Sequence, residues 1–275
     1  MNKTIRNLSL AMTLVAASAG AALATPSTQI WIPSTDIQAY KTFHLGIDNY
    51  IRLSGVGKAT GNPNVRDSNV YDIGPEVGVL PPLPGLGDKL QMEAGFDFLS
   101  NSTEPNDNHP FSGNFKIGIP AEDALFKYSP AIVVGMYNAG PTNYGKSTAP
   151  FVTSGQNIAY VLTAKTLPAI GPVPSLGRLS AGYYHGSARA LVDPSGHSAN
   201  DGVLLSWDRT MSEISDKLWM AVDYQGGNNV DGALNMGFSW SFAKNVSVIF
   251  AYDIYKEKAL AGNNTFTTQL DINFP

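Results

Sequence analysis

The chain has 275 residues, no cysteine, 18 basic and 22 acidic side chains and a formal charge of −4. Disulfides, thiolate metal sites, c-type haem attachment and lipoprotein acylation are thereby excluded. The mildly acidic balance points away from nucleic acid.

Lys3 and Arg6 precede an Ala-rich apolar run, 8–23, that ends in Ala22-Leu23-Ala24. A basic start, an apolar middle and small residues at the minus-three and minus-one positions predict a secretory signal peptide over 1–24, cleaved after Ala24. As a bilayer anchor the run is short and rich in Ala and Ser. Cleavage takes Lys3 and Arg6 from the 18 basic residues, leaving 16 against 22 acidic ones and a formal charge of −6. Residues 25–40, with Ile30-Trp31-Ile32-Pro33, fit a periplasmic tail, a lumen-lining segment or an additional strand.

From residue 41 the pattern turns to period two, the signature of strands with two unlike faces. The first predicted strand, 41–54, sets Phe43, Leu45, Ile47, Ile51 and Leu53 against His44, Asp48, Tyr50 and Arg52. A polar stretch, 55–68, follows. The second strand, 69–80, is interrupted by Gly74-Pro75, since proline cannot donate to a ladder. Residues 81–85 make a proline-rich turn. The third strand, 88–99, alternates clearly: Leu90, Met92, Ala94, Phe96 and Phe98 against Gln91, Glu93, Gly95 and Asp97. Five more follow at 113–120, 129–139, 155–165, 177–188 and 202–210, then four at 216–226, 231–242, 245–256 and 264–274. In the last, Phe266, Leu270, Ile272 and Phe274 oppose Gln269, Asp271 and Asn273.

The mature chain holds no apolar stretch long enough for a membrane helix; its most apolar piece, 131–137, is strand-sized. An exported chain of two-faced strands suits the outer membrane, where a closed barrel satisfies its backbone internally. The pattern therefore predicts an all-β fold, a single transmembrane antiparallel up-and-down barrel of about twelve strands over 41–275. The first, third, fifth and seventh connections are long and polar, as expected of outward-facing loops, and an even strand number places both termini in the periplasm. Tyr40, Phe98, Tyr137, Trp207, Trp219, Tyr224, Trp240, Tyr255 and Phe274 fall near strand ends, where interfacial girdles or plain packing would use them.

On this alternation Asp48, Arg52, Glu93, Asp97, Asp223, Asp253 and Asp271 point inward. On a lipid face a basic residue would cost roughly 2–4 kcal/mol near the midplane and an acidic one less. All but Arg52 are acidic, which would bias a water-filled pore toward cations. In a closed interior the same groups would pair with Arg52, Lys116 or tyrosine hydroxyls.

Catalysis and cofactors find little support. His197-Ser198 sits in a Gly/Ser/Asn-rich loop, and the His-x-Ser-Asn-Gly arrangement of outer-membrane phospholipases is absent from His197-Ser-Ala-Asn-Asp-Gly202. His44, His109, His185 and His197 lack paired metal spacing. Glu104-Pro-Asn-Asp-Asn108 would hold Ca²⁺ loosely at best. No cofactor or metal is expected.

Two regions carry a resemblance. Thr25-Pro-Ser-Thr-Gln-Ile-Trp-Ile-Pro-Ser-Thr-Asp36 is similar to the mature start of a group of uncharacterised, porin-like outer-membrane barrel proteins of Gram-negative bacteria. Ser206-Trp-Asp-Arg-Thr210, Asp216-Lys-Leu-Trp-Met-Ala-Val-Asp-Tyr224 and Gln269-Leu-Asp-Ile-Asn-Phe274 resemble the C-terminal half of the same group. The likeness spans both ends and about half of the chain, and it implies a barrel without a catalytic motif. The expected function is a passive, cation-leaning channel for small hydrophilic solutes, in contact with outer-membrane lipid. The alternatives are a closed structural or complex-forming barrel and, third, a lipid hydrolase. Homo-oligomers and a periplasmic partner stay open.

Overall fold

The computed structural model describes residues 27–53, 67–101, 110–141, 155–169 and 175–274. The leader, the Thr25-Pro26 start, His109, the 104–108 stretch and most of the long-loop tips lie outside them. Twelve strands form one closed sheet: β1 (Phe43–Arg52), β2 (Val70–Gly78), β3 (Gln91–Asn101), β4 (Phe111–Ile119), β5 (Ala131–Ala139), β6 (Ile158–Thr166), β7 (Arg178–His185), β8 (Asp201–Thr210), β9 (Leu218–Gln225), β10 (Ala233–Ala243), β11 (Val246–Tyr255) and β12 (Thr265–Phe274). Each pairs antiparallel with its sequence neighbours, and β1 closes on β12 from Phe43↔Phe274 to Arg52↔Thr265. Closure leaves no unpaired edge, the condition for crossing lipid with strands.

The burial pattern is that of a soluble sandwich turned inside out. On β12, Thr265, Thr267, Gln269, Asp271 and Asn273 are buried inside, while Phe274 is exposed outside. Around the wall Phe43, Phe96, Ile132, Val134, Val161, Leu205 and Phe238 also face outward and exposed. An apolar exterior around a largely polar interior defines a transmembrane barrel, because only lipid makes that arrangement favourable.

Connections after odd-numbered strands gather at one rim and those after even-numbered strands at the other, together with the start of β1 and the end of β12. We call these the loop rim and the terminal rim. A tight turn at Lys244-Asn245 joins β10 to β11, beside a register shift between Ser241 and Ala243. Gly227, between β9 and β10, and Gly262, between β11 and β12, take φ of 113° and 84°.

Gly74-Pro75 does not end β2. The strand continues through it against β1, as Gly46↔Gly74 and Leu45↔Pro75. The ladder toward β3 lapses there and resumes in the same register, from Ile73↔Phe98 to Glu76↔Gly95. Proline lacks the N–H for one side of its strand only, so the cost falls on one ladder.

Of the proposed girdle aromatics, Trp207, Tyr224 and Trp240 lie on the outward face, but Tyr137, Trp219 and Tyr255 point inward. The correction follows from parity: Trp219 shares its face with Asp223, and Tyr255 with Asp253.

Candidate functional site

The lumen is occupied. Residues 27–34 fold into a tight hairpin inside the barrel, with a Thr28↔Pro33 bridge and bonds from Gln29 N to Ile32 O (2.8 Å) and Ser34 N to Ser27 O (3.0 Å). Its tip, Ile30–Trp31, points to the loop rim, where Trp31 Nε1 donates to Asp231 O (3.1 Å). Residues 35–41 descend to the terminal rim and join the wall through Lys41 N–Gly78 O (2.8 Å). Of the placements open to 25–40, the lumen-lining one describes the observed residues.

Three sets of contacts hold this plug. Asp223 Oδ2 accepts from the tip amides of Ile30 (2.7 Å), Trp31 (2.8 Å) and Ile32 (3.4 Å), while its Oδ1 accepts from Asn235 (2.7 Å). Successive backbone amides of a turn form a concavity suited to an anion, and Asp223 fills it. Arg178 holds Asp36 through two parallel bonds of 2.9 Å, and its Nε reaches Asp208 (3.0 Å), which also accepts from Gln29 (3.1 Å). Across the lumen, Lys116 Nζ pairs with Glu93 (2.9 Å) and donates to the carbonyls of Ser27 (2.9 Å) and Asp36 (2.5 Å). The other oxygen of Glu93 accepts from Gln38 N (2.6 Å).

The wall behind the plug is apolar. Val133, Ile158, Tyr160, Leu162, Tyr184 and Leu204 point inward and pack with Ile32; Ile249 and Ala221 pack with Ile30. The sequence signal for this patch was the loss of alternation in 131–134 and 158–162, where both faces of the strand are apolar. Inward-facing positions were expected to be polar, and at Val133, Ile158, Leu162 and Leu204 they are not, because this part of the wall faces packed protein instead of water.

The opposite wall, β1–β4, is acidic and borders a cavity of about 250 Å³ between itself and the plug. The cavity lining extends from His44 and Glu76 near the terminal rim to Arg52, Val70 and Asn138 near the loop rim. Asp48 lies directly across from Asp72. Asp97 lays its carboxylate over Gly74, where a Cβ would come within 2.2 Å of Asp97 Oδ1. His44 bridges Glu76 (3.3 Å) and Asp271 (3.1 Å). Arg52 is turned to backbone carbonyls of Ser68 (2.9 Å), Ala261 (2.7 Å) and Asn263. Among the described residues no ion pair reaches Asp48, Asp72 or Asp97.

Of the residues singled out from sequence, Asp48, Arg52, Glu93, Asp97 and Asp271 border this cavity. Asp223 and Asp253 point inward but do not border it: Asp223 caps the hairpin and Asp253 accepts from Thr265 (2.6 Å). Asp72 and Glu76 were missed, since Gly74-Pro75 breaks the pattern that would have assigned their face. At the loop rim, burial raises the carboxyl of Asp231 to about 6, although Gln156 donates to it.

His197 and Ser198 have separate partners. Ser198 donates to Asn200 (2.6 Å), and His197 lies beside Asp193 (3.5 Å) with its ring in solvent. Among the described residues no group of three or more His, Asp or Glu is placed to hold a metal ion.

A closed twelve-strand transmembrane barrel with an inserted N-terminal hairpin is thus the class that fold and site define. The chain matches no protein-family model and no curated protein sequence. Among solved structures it is similar to an outer membrane channel from Pseudomonas putida, with 14% identity over 87% of this chain and 96% of that one and a TM-score of 0.48. It is also similar to the outer membrane protein Omp33 of Acinetobacter baumannii (9%, 87% and 100%, 0.39) and to outer membrane phospholipase A of Escherichia coli (12%, 87% and 91%, 0.41). Channel and enzyme stand side by side at this level, so the site itself must carry the functional reading.

Proposed function

We propose that the protein is an outer-membrane channel of Gram-negative bacteria, exported by the leader 1–24. Its conduit is the cleft between the plug and the acidic wall, and it passes small hydrophilic solutes, cations before anions. The observation carrying this reading is the arrangement of Asp48, Asp72 and Asp97 on one side of a cavity that extends toward both rims, none of them in an ion pair with another described residue. The basic groups bordering the same cavity are committed elsewhere, Lys116 to Glu93, His44 to Glu76 and Asp271, and Arg52 to carbonyls. Uncompensated carboxylates in a narrow aqueous path concentrate cations and repel anions. Planar-bilayer recording of the refolded protein tests the proposal, and bilayers that stay silent would end it.

The strength of the plug's anchorage favours one other reading, a closed barrel with a structural or complex-forming role. It predicts silent bilayers together with co-purification of a fixed partner.

A further inference from the structure

Asp231 stands at the loop rim, in the connection between β9 and β10, and borders the same cavity as the acidic wall. It is 8% exposed. Its N–H donates to Asn229 Oδ1 (3.0 Å), and its carbonyl accepts from Trp31 Nε1 (3.1 Å). Its Oδ1 accepts from Gln156 Nε2 (3.1 Å), and Gln156 Oε1 in turn accepts from Asn138 (2.6 Å). Oδ2 alone is left over: it is fully enclosed and meets no hydrogen-bond donor among the described residues. No described basic side chain forms an ion pair with it. Because every other polar atom of the residue is anchored, Oδ2 is held in place before any ligand arrives, as a binding site requires.

The surroundings are aromatic. Trp31, Tyr50, Tyr137 and Tyr255 border the cavity, with the Trp31 ring centroid 5.4 Å from that of Tyr50 and 5.6 Å from that of Tyr255. Asp231 is near enough to Tyr137 and Tyr255 to act on both electrostatically. Tyr255 already carries one organic cation, since Arg52 Cζ lies 5.3 Å from its ring centroid. Gln225, 1% exposed, adds an enclosed amide nitrogen with no acceptor among the described residues. An inorganic cation would need several oxygens to replace its water, and no three described acids or histidines are grouped to supply them. A neutral solute would leave the carboxylate buried and uncompensated. An ammonium group aims an N–H at a single oxygen, and aromatic rings accept both its charge and its alkyl arm. The cavity, at about 250 Å³, falls just short of the roughly 300 Å³ at which ligand clefts begin, so the ion must be small.

We propose that Asp231 Oδ2 is the acceptor of a binding site for a small alkylammonium ion, with the rings of Trp31, Tyr137 and Tyr255 around its carbon arm and Gln225 Nε2 as donor to a neighbouring hydroxyl. The assignment names the class of solute and rests on the channel reading. The ion binds at the loop-rim end of the cleft and passes from there along Asp48, Asp72 and Asp97.

The test is potassium current through the refolded barrel in planar bilayers, with protonated ethanolamine added as the probe. Ethanolammonium is expected to block the current, and ethylene glycol, a neutral molecule of similar size, is expected not to. Asp231→Asn should raise the half-blocking concentration about tenfold or more, the loss of one charge-assisted hydrogen bond. Asp253→Asn should leave it unchanged, because that carboxylate faces Thr265 and not the cavity. Heat-dependent gel migration checks that each variant is folded, and if Asp231→Asn is not, the two probes on the parent protein still decide. Silent bilayers overturn the channel reading and this assignment with it. Potassium current that ethanolammonium leaves unblocked overturns the assignment alone. So does equal block by ethylene glycol, or block undiminished in folded Asp231→Asn. Equal weakening by Asp253→Asn also overturns it, since the attraction would then belong to total charge.

Discussion

Asp223 Oδ2 lies 2.8 Å from the backbone nitrogen of Trp31, joining a wall strand to a hairpin 192 residues away in sequence. The same oxygen takes the amides on either side, so one carboxylate satisfies the whole tip. In a lumen with little room for water those amides have no cheap substitute. Leaving each unsatisfied costs about 1–3 kcal/mol.

Asp223→Ala is therefore expected to undock the hairpin while the barrel stays closed. Single-channel recordings should show conductance raised several-fold, or rapid flicker between two levels. Heat-dependent gel migration should be unchanged. Conductance identical to the parent protein would remove Asp223 as the anchor.

The Arg178–Asp36 pair offers a second hold on the plug. Both side chains are partly exposed, so their contribution is smaller than that of a fully buried pair. A double-mutant cycle of Arg178→Leu and Asp36→Asn, read by urea unfolding in detergent, is expected to give a coupling of about 1–2 kcal/mol. Additive single effects would show the pair to be independent.

Selectivity should separate the inward acids by place. Asp48→Asn, Asp72→Asn and Asp97→Asn should each shift the reversal potential toward non-selectivity in a salt gradient. Asp253→Asn should leave it unchanged, because that carboxylate faces Thr265 and not the cavity. Equal effects from all four would make the preference a property of total charge.

Gly74 and Asp97 share one space. Gly74→Ala places a methyl group within 2.2 Å of Asp97 Oδ1, and overpacking of this kind costs about 1–3 kcal/mol. Asp97→Ala in the same chain should recover most of that loss in unfolding midpoint. No recovery would mean that β2 backbone strain is responsible.

Asp231, in the loop-rim connection 226–232, gives a pH signature. Its carboxyl is raised to about 6 by burial, above the ordinary value of 3.8. Between these values the folded state binds more protons than the unfolded chain, so stability falls as pH rises from about 4 through 6. The loss attributable to this group is on the order of 2 kcal/mol and should be absent in Asp231→Asn. A variant retaining the parent's pH slope would assign it to other groups.

The barrel was legible because a wall strand answers to a local rule. Each residue between two paired neighbours faces either lipid or lumen, so polarity at period two records position directly. All twelve strands followed from it, with boundaries within a few residues, and β2 needed only tolerance of one proline. The inward face of Asp48, Glu93, Asp97 and Asp271 followed from the same rule, and so did Lys116 as a partner for an inward acid, but the His44 contact of Asp271 did not. Glu93 meets Lys116 across the β3–β4 ladder, whereas His44 meets Asp271 only because β1 closes on β12.

Residues 27–41 obey no such rule. Ile30, Trp31 and Ile32 read equally as tail, liner or strand, since nothing within a hairpin's own length distinguishes these surroundings. Their burial depends on an apolar patch assembled from four strands, β5–β8, and on a carboxylate nearly two hundred positions away. The approximate strand number, the barrel and most of the inward and outward assignments were thus legible in sequence, through interactions between near neighbours. The filling of the lumen, and with it the line between acids that hold the plug and acids that border the cavity, was decided only by tertiary structure. Those contacts exist once the cylinder has closed and brought distant strands around one axis.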